Sequence, residues 1–119
     1  MTGGAGDDIL IGGADSDTLT GGVGNDQFIY QTLSYLDDTI TDFNQNEDKL
    51  VLTEAFKNIG YTGSNPIGDG YLQFVQSGTS TQVNWSYGVI GFSFFSFFTL
   101  ATLNNFTATN LAVGTNVLV

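Results

Sequence analysis

The chain has 119 residues, a length that suits one domain with a single hydrophobic core. Twelve acidic residues stand against two lysines, so the net charge is −10 and excludes a nucleic-acid partner, which needs a basic surface. The absence of Cys and His excludes disulfides, thiol and imidazole catalysis, and zinc or haem sites, and it leaves oxygen atoms as metal ligands. Sixteen glycines and one proline favour a β-rich fold with many turns.

The sequence shows neither a cleavable signal peptide nor a membrane-spanning helix. Met1 leads directly into a glycine-rich segment, with no basic region and no apolar run after it. The longest uncharged apolar stretch, residues 89–103, is interrupted by small and hydroxyl residues, and it falls short of the roughly 20 residues that a spanning helix needs. We therefore predict no transmembrane segment.

A nine-residue pattern repeats three times, in phase and without a gap, over residues 3–29. Each copy begins with a glycine, carries an acid at its sixth position and has a large apolar residue at its eighth. These three positions are held by Gly3, Gly12 and Gly21, by Asp8, Asp17 and Asp26, and by Leu10, Leu19 and Phe28. Three copies in phase favour a folded repeat over a glycine-rich linker with incidental acids.

The pattern resembles the calcium-binding nonapeptide G-G-x-G-x-D-x-U-x of RTX proteins. Calcium takes six to eight oxygen ligands, many of them backbone carbonyls, and glycine allows the positive φ angles that let carbonyls converge. Two repeats of that family form one turn of a parallel β-roll. The resemblance therefore implies that Asp8 and Asp26 share an ion, and that Asp17 on the opposite edge pairs with Asp38.

The resemblance implies several calcium ions, held by loop backbone and by carboxylates. The expected metal-binding residues are Gly3, Ala5, Gly6, Asp8, Gly12, Ala14, Asp15, Asp17, Gly21, Val23, Gly24, Asp26, Asp38, Asp42 and Asp48. Asp15 stands where the other two repeats have Gly6 and Gly24, so we expect it to adopt a strained left-handed conformation.

The segment after the repeats extends the resemblance. Residues 38–52 resemble the element that closes RTX β-rolls, of the form D-x-I-x-D-F, a polar turn and E-D-x-I-x-L. Residues 53–59 predict a short helix with Thr53 as its N-cap, which packs Ala55, Phe56 and Ile59 on the open end of the roll. The expected fold is all-β, with a short parallel β-roll in residues 1–52 and a mostly antiparallel region in residues 53–119 packed on it as one domain.

The second half is similar to the C-terminal target domains of type I secretion. That resemblance implies an ABC exporter as a partner during secretion, a secreted, extracellular or cell-surface location, and folding outside the cell when calcium binds. The principal hypothesis is therefore a secreted, non-catalytic calcium-binding RTX domain that carries its own export signal. Catalysis is not expected, because the chain offers no basic residue to position a substrate and no length to build a cleft.

Residues 70–119 carry no charged side chain and contain a cluster of five phenylalanines. The cluster consists of Phe92, Phe94, Phe95, Phe97 and Phe98. A strand buried on both faces explains it, and so does an edge through which copies of the chain associate.

Two further hypotheses follow. The first is a complete small structural protein that self-assembles into a homo-oligomer, a filament or a layer when calcium is present. The second is a substrate-gripping module similar to the R-modules of alginate epimerases. With only two lysines, the chain would grip an anionic polysaccharide only if calcium bridged the two.

Overall fold

The computed structural model describes residues 1–13, 15–31, 37–86 and 98–119. The strands are β1 (Ile9–Leu10), β2 (Thr18–Leu19), β3 (Gln27–Ile29), β4 (Asp38–Ile40), β5 (Lys49–Val51), β6 (Leu72–Ser77), β7 (Ser80–Trp85), β8 (Phe98–Leu103) and β9 (Val117–Leu118). Helix α1 spans Thr53–Asn58, and a 3₁₀ turn spans Ala108–Asn110. None of the helices in these ranges is long and apolar enough to cross a membrane.

The first sheet is parallel throughout and has the order β1-β3-β5-β9. Its register places Leu10 beside Phe28, Phe28 beside Leu50, and Leu50 beside Val117. These four side chains are buried. Strands β1, β3 and β5 thus stack on one face of a roll, as the repeat pattern predicts, and β9 extends that face.

The second sheet has the order β2-β4-β8-β7-β6 and changes from parallel to antiparallel along its width. Strands β2, β4 and β8 are parallel neighbours, with Leu19 beside Ile40 and Ile40 beside Leu103. Strands β8, β7 and β6 are antiparallel neighbours. The predicted all-β fold, a short parallel β-roll that continues into antiparallel strands, is confirmed.

The C-terminal strands are less uniformly antiparallel than we expected. Strand β8 extends the roll in parallel beside β4, and β9 does the same beside β5. The helix and the β6–β7 hairpin lie between β5 and β8 in the sequence, so the chain leaves the roll and then returns to it. The last strands therefore complete both faces of the roll.

Helix α1 closes the core beside the end of β5. Ala55 and Phe56 are buried, and Ile59 packs against the core, as predicted. The prediction that Thr53 is the N-cap is wrong, because Leu52 holds that position and the structure has no side-chain cap there. Two backbone hydrogen bonds hold Leu52 in place. Its N–H donates a 2.7 Å hydrogen bond to the Leu118 carbonyl, and its carbonyl accepts one from the Phe56 N–H.

Candidate metal centre

The sixth-position aspartates of the first and third repeats, Asp8 and Asp26, stack along one edge of the roll. The backbone N–H of Asp8 donates a 2.9 Å hydrogen bond to Oδ1 of Asp26, and the N–H of Asp26 donates a 3.0 Å bond to Oδ1 of Asp48. Asp26 and Asp48 are buried. The predicted juxtaposition of Asp8 and Asp26 is present, and Asp48 adds a third layer to the same column.

A second column lies on the opposite edge. There the N–H of Asp17 donates a 2.8 Å hydrogen bond to Oδ1 of Asp38, which is 2% exposed. Asp17 and Asp38 are therefore neighbours, as the sequence predicts. Each edge presents the same arrangement, in which one layer's carboxylate receives the backbone N–H of the layer before it.

Each repeat leaves one carboxylate oxygen buried without a partner. Among the described residues, Oδ2 of Asp8, Asp17 and Asp26 is in every case inaccessible to solvent and accepts no hydrogen bond. A carboxylate oxygen in this state is costly unless a cation binds it. The donor set consists of oxygen atoms and fits a hard cation such as calcium.

The carboxylates alone do not build a complete coordination sphere. Within the described ranges, no three Asp, Glu, His or Cys side chains converge as a metal-binding group. A calcium ion here would need backbone carbonyls from the glycine-rich loops in addition to carboxylates. This requirement matches the composition of the repeats.

The unpartnered oxygen of each repeat packs closely against the first glycine of that repeat. A Cβ atom on Gly3 would lie 2.7 Å from Oδ2 of Asp8, and one on Gly12 would lie 3.0 Å from Oδ2 of Asp17. A Cβ atom on Gly21 would collide with Oδ2 of Asp26. Any side chain at these positions would displace the carboxylate.

The glycines at the second and fourth positions let successive loops approach closely. Gly22 and Gly24 have φ angles of +88° and +119°, and a Cβ atom on either would collide with the carbonyl oxygen of Gly4 or Gly6. The N–H of Gly6 donates a 3.0 Å hydrogen bond to the Val23 carbonyl, which ties the loops together. Ala5 and Val23 occupy the exposed outer side of these loops.

Asp15 has a φ of 68°, which confirms the predicted left-handed conformation at this non-glycine position. Ala14, which we predicted as a backbone ligand, lies outside the described residues. Asp15 is exposed, and it stands in the loop that leads to Asp17. Its role as a ligand stays a prediction.

Asp42 supports the loop backbone through two hydrogen bonds. Its Oδ1 accepts the Gly21 N–H at 2.9 Å, and its Oδ2 accepts the Gly22 N–H at 2.8 Å. Asp48 likewise accepts a second bond, from the Asn44 N–H at 2.8 Å. Both predicted ligands therefore already have donors, whereas Asp8, Asp17 and Asp26 each keep one oxygen free of donors.

Burial raises the pKa of two of these carboxyl groups. Desolvation is the largest cause for both Asp38 and Asp48, and the backbone N–H groups that they accept oppose it only in part. The neighbouring acids Asp17 and Asp26 raise these pKa values further. The site is thus electrostatically unfavourable without positive charge.

The structure adds one residue that the sequence did not single out. Asp7 accepts a 2.8 Å hydrogen bond from the Asn25 N–H through its Oδ1, so it links the first loop to the third. Asp7 and Asn25 both occupy the fifth position of their repeats, which we had treated as variable. A polar residue at that position in all three copies, with Ser16 in the second, was the available signal.

Most of the predicted phenylalanine interface lies outside the described residues, namely Phe92, Phe94, Phe95 and Phe97. Phe98 belongs to β8, and its ring centroid lies 5.4 Å from that of the buried Trp85. This contact accounts for Phe98 as part of the core packing. The interface itself stays a prediction.

A polar groove of about 460 Å³ runs beside the turn after β4. Its walls include Asp42, Asn44, Asn46, Asn104, Asn105 and Asn110. Phe43 and Phe106 lie at its base, with their rings edge to face at 5.3 Å. Both rings are buried, so the groove presents mainly amide and other polar groups.

Comparison with known proteins identifies the repeat segment. A family model described as the RTX calcium-binding nonapeptide repeat, in four copies, matches residues 1–29. No curated protein matches the chain.

A solved structure resembles the whole roll and its continuation. The solution structure of the AlgE6R3 subunit from the Azotobacter vinelandii mannuronan C5-epimerase matches with a TM-score of 0.60 and 26% identity. The match covers 98% of this chain and 65% of that structure. The fold of the RTX segment together with the strands that follow it therefore occurs in a subunit of that epimerase.

Proposed function

We propose that this chain is a calcium-binding, non-catalytic β-roll domain that folds when calcium occupies the spaces beside Asp8, Asp17 and Asp26. The observation that carries the proposal is the set of three buried Oδ2 atoms without a hydrogen-bond partner. Each lies beside a first-position glycine, whose lack of a side chain is what allows the carboxylate to occupy this place. The match of residues 1–29 to calcium-binding repeats supports the same assignment.

Calcium would act on the folding equilibrium through charge. The metal-free chain has a net charge of −10 and buries the carboxylates of Asp26, Asp38 and Asp48. Bound calcium supplies the positive charge that these groups lack, and it binds only the folded arrangement of loops. The expected affinity is that of extracellular modules, on the order of 10⁻⁴ to 10⁻³ M per site.

We further propose that folding takes place outside the cell, after export by an ABC-type exporter of a type I system. An affinity in that range leaves the chain metal-free and expanded where calcium is scarce. The same affinity allows it to fold where calcium is millimolar. The resemblance of residues 1–52 to RTX β-rolls, and of the second half to secretion target domains, supports this route.

Calcium titration of Asp26→Asn tests the proposal, with folding followed by circular dichroism and binding by calorimetry. We expect Asp26→Asn to raise the calcium midpoint about tenfold, because ligand charge sets affinity at oxygen sites. Glu54→Gln is the matched control, since it removes the same charge from an exposed position in α1. Equal midpoints for Asp26→Asn, Glu54→Gln and the unaltered chain would refute the site.

A second candidate function is the gripping of a polysaccharide for a partner enzyme. The match to a subunit from a mannuronan C5-epimerase favours it, as does the amide-lined groove beside Asp42. Amide side chains suit hydroxyl-rich ligands, and calcium would have to bridge any uronate carboxylates. Calorimetry with mannuronan oligosaccharides, with and without calcium, tests this candidate. Heat of binding that Asn104→Ala abolishes would support it, and no heat in either buffer would exclude it.

A further inference from the structure

Tyr30 stands where a fourth repeat would begin. It follows Gly21 by nine residues, and the first positions of the three repeats are all glycine. Its place in the roll is one turn after Gly12, on the edge that carries Asp17 and Asp38. A Cβ atom on Gly12 would lie 3.0 Å from Oδ2 of Asp17 and 3.2 Å from Oδ2 of Asp38. The first position on this edge therefore faces both carboxylates.

Asp38 holds the sixth position of the same incomplete repeat. Asp17 donates its N–H to Asp38, just as Asp8 donates its N–H to Asp26. The Asp17–Asp38 pair is separated by 21 residues and the Asp8–Asp26 pair by 18, so three additional residues lie between Tyr30 and Asp38. Tyr30 and Asp38 thus correspond to Gly12 and Asp17 in the preceding layer.

The side chain of Tyr30 is buried and its hydroxyl is unsatisfied. The residue is 9% exposed and belongs to the core, and its N–H donates a 3.0 Å hydrogen bond to the Val51 carbonyl. Its hydroxyl is inaccessible to solvent and has no partner among the described residues. A buried hydroxyl without a partner is destabilising, so its retention needs a reason.

The electrostatics place this hydroxyl beside the acidic edge. Burial raises the pKa of Tyr30, and the nearby carboxylates of Asp38 and Asp17 raise it further. A tyrosine hydroxyl is protonated at neutral pH, so it is available as a hydrogen-bond donor. Oδ1 of Asp38 already accepts the Asp17 N–H, so Oδ2 is the oxygen that remains for the Tyr30 hydroxyl.

We propose that Tyr30 is a positioning residue of the calcium site on the Asp17–Asp38 edge, where its hydroxyl donates a hydrogen bond to the Asp38 carboxylate and turns it toward the ion. This inference rests on the proposed function, because it assumes that calcium binds between these layers. The two edges would then differ in their ligand environment. The corresponding layer on the other edge begins with Gly21 and offers no hydroxyl at that position.

Tyr30→Phe tests the inference, since it removes only the hydroxyl. In the full chain we expect the variant to need about tenfold more calcium for half-saturation of one class of site, in line with loss of a hydrogen bond to a charged group. Without metal, the variant is expected to be at least as stable as the unaltered chain, because it no longer buries an unsatisfied hydroxyl. Tyr71→Phe removes a hydroxyl from a partly buried tyrosine away from the site and is the matched control.

Two further measurements separate positioning from simple packing. Tyr30→Phe is expected to add nothing to the binding defect of Asp17→Asn, but to add its full effect to that of Asp8→Asn. The near-ultraviolet difference spectrum on calcium addition is expected to contain a tyrosine band that Tyr30→Phe loses and Tyr71→Phe keeps. Unchanged calcium binding by Tyr30→Phe, while the unaltered chain binds calcium, would overturn the role of Tyr30 alone. Absence of calcium binding by the unaltered chain would overturn the proposed function and this inference together.

Discussion

The backbone N–H of Asp17 donates a 2.8 Å hydrogen bond to the carboxylate of Asp38, although the chain between them is three residues longer than between Asp8 and Asp26. The strands on this edge nevertheless keep the register of the repeats, with Leu19 beside Ile40. The three additional residues therefore do not shift the register of β2 and β4. Both edges share the hydrogen bond from an aspartate N–H to the aspartate carboxylate of the next layer, although the sequence spacing between the two residues differs.

Substitutions on the two edges are predicted to be independent, because the edges hold separate ions. Asp8→Asn and Asp17→Asn should each raise the calcium midpoint about tenfold, and the double variant should show roughly the sum of the two free-energy changes. Asp8→Asn combined with Asp26→Asn should cost less than the sum, since both residues border one site. Calorimetric titration of the five variants, with Asp26→Asn alone as the fifth, measures these couplings. Additivity within the Asp8–Asp26 pair would contradict a shared ion.

Gly22→Ala is predicted to destabilise the calcium-loaded roll far more than Gly13→Ala. Both glycines have positive φ, +88° and +83°, so both substitutions carry a backbone cost of about 1–2 kcal/mol. Only Gly22 faces the Gly4 carbonyl, whereas a Cβ atom on Gly13 meets nothing within 4 Å. We expect about 3 kcal/mol or more for Gly22→Ala from urea unfolding in calcium. Similar losses for the two variants would mean that the loops do not stack as closely as described.

Acidification is predicted to stabilise the metal-free chain. The pKa values of Asp38 and Asp48 are raised in the folded state, so between these values and the ordinary aspartate value of 3.8 the folded chain binds more protons than the unfolded chain. Stability without metal should therefore rise as the pH falls through this interval, and the gain should be complete below it. Circular dichroism of calcium-free protein from neutral to acid pH measures the effect. With calcium present the trend should reverse, because protons compete with the ion.

Phe56→Ala is predicted to destabilise the domain by about 3–5 kcal/mol, even in saturating calcium. Phe56 is 1% exposed, and its side chain packs α1 against the hydrophobic core at the end of the roll. Lys57→Ala, on the exposed side of the same helix, should change stability by less than about 0.5 kcal/mol. Thermal unfolding of both variants tests the packing of α1. Equal stability of the two would show that the helix does not contribute to the core.

The first 52 residues were largely predictable because their structure is local and periodic. The spacing of Asp8, Asp17 and Asp26 fixed which carboxylates meet, and the eighth-position residues Leu10, Leu19 and Phe28 are buried as the pattern requires. The strained φ of Asp15 followed from its place in the repeat. Each of these features depends on neighbours that lie one or two repeats away.

The return of the chain to the roll was not predictable in the same way. Strand β8 pairs with β4, and β9 pairs with β5, after more than 55 intervening residues. Parallel pairing between strands so far apart in the sequence produces no local sequence pattern. It requires only that an apolar side chain, such as Leu103 or Val117, lies beside the buried residue of the neighbouring strand. The hydrogen bonds that Asp7 and Asp42 accept from neighbouring loops were also not predictable. A sequence does not distinguish a carboxylate that accepts backbone N–H groups from one that binds a metal ion.

Sedimentation velocity of the purified chain, in calcium and in chelator at neutral pH, tests calcium-driven folding most directly because it reports compactness and association together. The predicted result is a compact monomer with calcium and an expanded monomer without it. Regular assemblies that form only with calcium would instead favour the structural-protein alternative while keeping the calcium site. Identical profiles in the two buffers would contradict calcium-dependent folding, and with it the function assigned to Asp8, Asp17 and Asp26.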